Sequence, residues 1–88
     1  MSKLYACIIS QDAKKNEEIL LSIAYEFASR VQVLQDGVLL DVSGLEKLIG
    51  NAKQLAKAIV QALKEHQVSG NVAVAKNVDT ALLLARHK

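Results

Sequence analysis

Eighty-eight residues suffice for one small domain, because a chain this short buries only about 60% of the surface its unfolded form exposes, and a second independent core is excluded. A hydrophobic fraction of 51% with 23% charge and no Pro excludes a disordered chain. Lys+Arg 11 against Asp+Glu 9 leaves a formal charge of +2, interleaved along the chain, and Phe27, Tyr5 and Tyr25 are its only aromatic residues. Neither an electrostatic footprint for nucleic acid nor a base-stacking ladder follows from that composition.

Leu4 to Ile9 is an unbroken apolar run of strand length, suited to a strand buried on both faces. Cys7 lies within it, has no second cysteine to pair with, and reads as core in a reducing, cytoplasmic setting. No apolar run reaches transmembrane length, so a soluble, unprocessed chain is expected.

From Ala13 the period changes to that of a helix. Ile19, Leu20, Ile23, Ala24, Phe27 and Ala28 form one stripe, with Asp12 as the expected N-cap. Two strand-like segments, Val31 to Gln35 and Val38 to Val42, flank Asp36-Gly37. This is the signature of a two-residue type I′ hairpin, with positive φ at both central residues and Val33 opposite Leu40.

Ser43 with Glu46 three residues on has the capping-box form and predicts a helical turn. Asn51 with Gln54 predicts a second box, opening a helix whose stripe is Ala52, Leu55, Ala56, Ile59, Ala62, Leu63 and His66. Asn71 to Lys76 reads as a fourth strand, and Asn77 as the cap of a last helix that is apolar almost all round. Leu82, Leu83 and Leu84 cannot all face one core, so at least one is expected to be exposed or to meet another chain.

The order strand, helix, strand, strand, helix, strand predicts an α+β, ferredoxin-like βαββαβ sandwich with a C-terminal helix. Right-handed crossovers and the apolarity of the first and third strands give a four-stranded antiparallel sheet in the order 4-1-3-2, with both longer helices on one face.

Chemistry is sparse. Asp36 at the hairpin tip is expected to be a turn residue before it is a metal ligand. Asp41, within an aliphatic strand, needs a partner, and an open-face position or a helix N-terminus is expected to supply it. His66 and His87 have no ligand at metal-binding spacing, the serines lack a nucleophile elbow, and no glycine-rich phosphate loop is present. The residues themselves point to no catalytic group, no metal and no cofactor.

The segment Val38-Leu39-Leu40-Asp41-Val42-Ser43-Gly44, continued by Leu45-Glu46-Lys47-Leu48-Ile49-Gly50, resembles the palm motif of Y-family translesion DNA polymerases, and Gly70 to Asn77 resembles that family's next palm strand. The resemblance runs in order through most of the chain. It implies a single palm-like domain over residues 1–88, part of a longer protein.

Carried over residue by residue, the resemblance finds Asp36-Gly37 where active members have an Asp-Glu pair that holds catalytic metal. The first strand has no matching Asp, and Val78 and Leu82 stand where lysines would meet a triphosphate. The chain is thus most similar to the catalytically degenerate, ImuB-type branch of the family. That likeness implies a non-catalytic adaptor in a DNA-repair and mutagenesis complex, with another polymerase and the replication clamp as protein partners, weak DNA contact and no membrane. Asp36 and Asp41 would be vestigial. Two alternatives stand beside it: a palm fragment of an active polymerase, in which Asp12, Asp36 and Asp41 would ligate Mg²⁺, and a stand-alone ferredoxin-like regulatory or assembly module.

Overall fold

Ile8 and Leu40 lie at the centre of the sheet, on adjacent strands, with no exposed surface. They belong to a computed structural model describing residues 3–87. The elements run β1 (Tyr5–Ile9), α1 (Glu17–Phe27), β2 (Val31–Leu34), β3 (Gly37–Asp41), a 3₁₀ turn (Leu45–Lys47), α2 (Ala52–Glu65), β4 (Asn71–Ala75) and α3 (Val78–Arg86). The sheet has the order β2-β3-β1-β4 with every pairing antiparallel, which is the expected 4-1-3-2 read from the other edge. The fold is α+β and consistent with the ferredoxin-like class.

Strand alternation divides the core in two. Ala6 and Ile8 of β1 and Val38 and Leu40 of β3 join Leu20, Ile23, Leu55, Ile59 and Leu63 beneath α1 and α2. Cys7 and Leu39 point the other way and join Ala73, Ala81 and Ala85 beneath α3. The continuous apolar run of β1 is thereby explained, since both of its faces are covered. On α3 the small residues Ala81 and Ala85 let the helix approach the sheet, while Leu83 and Leu84 are left 58% and 46% exposed.

Several boundaries differ from expectation, each for a local reason. The first helix begins at Glu17, not Ala13, and Asp12 does not cap it. The Asp12 carbonyl instead accepts the Asn16 N–H at 2.9 Å, closing one turn that tucks Ala13 into the core, before Asn16 in turn accepts from Leu20. The hairpin turns on Gln35 and Asp36, with Leu34 opposite Gly37 and Val33 opposite Val38 rather than Leu40. Neither Asp36 nor Gly37 has positive φ.

The reason lies at Gly37. A Cβ there would run into the Ile8 carbonyl oxygen of β1, so the glycine serves close strand approach inside β3 and not turn geometry.

The box at Asn51 forms as expected, with reciprocal bonds of 3.0 Å between Asn51 and Gln54. The Asn77 side chain accepts the Thr80 N–H at 2.8 Å. The box at Ser43 does not form. Its Oγ accepts the Leu4 N–H at 2.9 Å, 39 residues away, and Glu46 accepts from Gly44 N–H instead. His66 is exposed at the end of α2 and is not part of the core stripe.

Candidate functional site

The chain direction brings unlike residues to one end of the sheet. β1 ends at Ile9 beside Gly37 of β3 and Asn71 of β4, and the Asp36 carbonyl accepts the Ser10 N–H at 2.8 Å. α3 leaves the far end of β4 and runs back across the sheet, so its last turn returns to the same end. There the Asn71 side chain donates to the Ala85 carbonyl at 3.4 Å. Arg86, one residue further, reaches the hairpin.

Arg86 grips Asp36 with both arms of its guanidinium, Nε to Oδ2 at 2.9 Å and Nη2 to Oδ1 at 3.1 Å. This fork geometry is the strong form of a charged hydrogen bond. It holds the Asp36 carboxyl below the usual carboxylate range and raises Arg86 further above its own. Cys7 lies beneath the same region with no exposed surface, and burial pushes its thiol up to about 11. A thiol so placed is not a nucleophile at neutral pH.

Two hollows of about 540 Å³ flank the loop after β1. One is lined by Ser10, Asp12, Asn16, Ser69 and Asn71. The other is lined by Ser10, Asp12, Lys14, Lys15 and Asp36. Asp12 and Asp36 therefore share a rim.

Asp41 does not join them. It pairs with Tyr5 at the opposite end of β3, and the four steps from Gly37 to Asp41 span roughly 13 Å. Its carboxylate accepts the Ser43 N–H at 3.0 Å, and the Ser43 hydroxyl and N–H hold it below the usual range. Of the two positions foreseen for Asp41 it keeps the open one, half-buried, and its partner is the backbone just beyond its own strand and not a helix N-terminus.

The residues do not fit a polymerase metal centre. Asp36 already has a cation on both oxygens, Asp41 is remote, and Gly37 leaves no room for the missing Glu. Among the described residues no group of three or more His, Cys, Asp or Glu side chains is placed to hold a metal ion. No helix among them is long and apolar enough to cross a membrane.

Arg86 is the residue that sequence reasoning missed. It sits 50 positions from Asp36, and its only local signal is a cation in the last turn of a helix, which the helix dipole alone would explain.

Compared with family models, with curated proteins and with solved structures, the chain has no significant match in any of the three.

Proposed function

We propose that this chain is a palm-like domain of the Y-family polymerase type that has given up catalysis and serves as an adaptor through protein contacts. The motif residues Val38 to Gly50 and Gly70 to Asn77 supply the likeness. One observation carries the loss of catalysis. The single carboxylate that occupies a metal-binding position of the motif, Asp36, is neutralised by Arg86. Two-metal nucleotidyl transfer needs carboxylates free to bridge ions and cations free to face a triphosphate. Here the carboxylate and the cation are spent on each other.

The partners under this reading are the proteins of a repair and mutagenesis complex, a second polymerase and the replication clamp, with a cytoplasmic location. A deoxynucleoside triphosphate titrated in Mg²⁺ against the ¹⁵N-labelled chain tests it. Amide shifts that stay linear and spread over the surface support the reading. Saturable shifts at Ser10, Asp36 and Gly37 would restore the active-polymerase alternative.

A further inference from the structure

The end of the sheet remote from Asp36 carries an arrangement of its own. α3 packs on β1 and β4, so the same face of β2 and of the end of β3 lies open beside it. Tyr5, Leu34 and Leu39 belong to that face. The two-residue period of the strands turns Lys3, Arg30 and Asp41 the same way. Tyr5, Leu39 and Val78 wall a hollow of about 240 Å³ there, together with Arg30 and Asp41. Arg30 and Asp41 also line a larger hollow of about 430 Å³, closed by Lys3, Ser43, Glu46 and Lys47. The two hollows adjoin at that shared pair, with an apolar wall on one side and a charged wall on the other.

The charges of the larger hollow do not cancel. Each carboxylate is already held by backbone: Asp41 Oδ1 accepts the Ser43 N–H at 3.0 Å, and Glu46 Oε2 accepts the Gly44 N–H at 3.1 Å. The cations Lys3, Arg30 and Lys47 form no ion pair within 4.0 Å among the described residues, where the one salt bridge is that of Arg86 with Asp36. Three positive charges facing two negative ones leave room for one more negative charge. The backbone beneath the cations is pinned. The Arg30 carbonyl accepts the Asp41 N–H at 3.2 Å, the Leu4 N–H after Lys3 donates to Ser43 Oγ at 2.9 Å, and the Lys47 N–H donates to the Gly44 carbonyl at 3.3 Å.

We infer that this corner binds a small organic acid with one carboxylate and a flat apolar body. The carboxylate meets the Arg30 guanidinium, whose fork suits it, with Lys3 and Lys47 alongside. The body lies against Tyr5, Leu39 and Val78, and the aliphatic stems of the three cations extend that apolar surface. The larger hollow falls within the range of about 300–1,000 Å³ typical of small-ligand sites. A phosphate dianion exceeds the net charge available and leaves the apolar wall wet, and the chain lacks the broad basic field that a nucleic-acid backbone requires. This inference does not depend on the polymerase likeness.

The test is a titration of the ¹⁵N-labelled chain with cinnamate, with the uncharged cinnamamide and inorganic phosphate as comparisons. Cinnamate should give saturable shifts at the amides of Tyr5, Leu39, Asp41 and Gly44. Cinnamamide and phosphate should each bind at least about tenfold more weakly, the loss expected when one charged hydrogen bond is removed. Arg30→Gln should weaken cinnamate by about tenfold on the same grounds. Lys64→Gln removes the same charge from the exposed last turn of α2 and should change nothing. Linear shifts, shifts centred on the exposed Leu83 and Leu84, equal binding of cinnamamide or phosphate, or wild-type affinity in Arg30→Gln would each overturn the inference. Should Arg30→Gln fail to fold, Lys3→Gln takes its place with the same expectation, and the comparison of cinnamate with cinnamamide on the wild-type chain still decides.

Discussion

Arg86, in the last turn of α3, closes a two-armed ion pair on Asp36, in the turn between β2 and β3. This contact ties the last turn of the helix that covers Cys7 to the hairpin tip. Both side chains are partly exposed, at 47% and 38%, and surface pairs of that kind add little to global stability. Their effect is expected in local opening.

Arg86→Ala should therefore speed the labelling of Cys7 by a neutral alkylating reagent while leaving the far-ultraviolet circular dichroism unchanged. Burial makes the wild-type thiol unreactive, so labelling reports the lifting of α3 from the sheet. Equal labelling rates in the two proteins would show that the ion pair does not hold the helix down.

The same pair sets a pH dependence. The folded pKa of Asp36 is depressed below 3.8, chiefly by the hydrogen bond from Arg86, and that of Asp41 below 3.8 by Ser43. A depressed carboxylate contributes stability that is fully present above its unfolded pKa and is lost as pH falls through the folded value. Stability should thus be flat from neutral pH down to the unfolded carboxylate range and decline below 3.8, with a shallower decline in Asp36→Asn. A decline of equal slope in the variant, measured by urea unfolding at each pH, would remove Asp36 from the account.

Gly37→Ala should destabilise by about 3 kcal/mol, at the upper end for overpacking, because the new methyl group meets backbone and not a mobile side chain. Gly44 makes the contrast. Its φ is +91 with open space around the position, so Gly44→Ala carries only the left-handed penalty of about 1 kcal/mol. Comparable losses at the two sites in chemical denaturation would contradict the close approach of β1 to Gly37.

Ser43→Ala should cost about 1 kcal/mol, although the bond it removes is to Leu4 and not within the 3₁₀ turn. The readout that separates the two roles is the Leu4 amide. Its exchange should accelerate in Ser43→Ala and stay unchanged in Glu46→Gln.

Strand order and helix faces were legible because they depend on period and apolarity. Leu4 to Ile9 and Val38 to Val42 could only be inner strands. The hairpin was read one residue late, since Asp-Gly favours a primed turn, yet moving the turn centre by one residue shifts each cross-strand partner by two. Val31, Val33, Val38 and Leu40 stayed on the same face, and the core survived the error. Ser43 and Glu46 matched a local pattern whose bonds were claimed by a distant strand, and Asp12 lost its helix to a turn that buries Ala13. The site was less legible than the fold. Asp36 could be singled out, but its partner Arg86 is fixed only by the return path of α3, which no local pattern encodes.

The account rests on Asp36 being held by an internal cation in place of a metal. The most direct measurement is a Mn²⁺ titration of the ¹⁵N-labelled chain, following paramagnetic broadening residue by residue. The account predicts diffuse, non-saturating broadening, with Ser10, Asp36 and Gly37 affected no more than other exposed acidic positions such as Glu17 and Glu18. Localised, saturable broadening centred on Asp36 at low Mn²⁺ would contradict it, because the ion would then be displacing Arg86 from a working metal site.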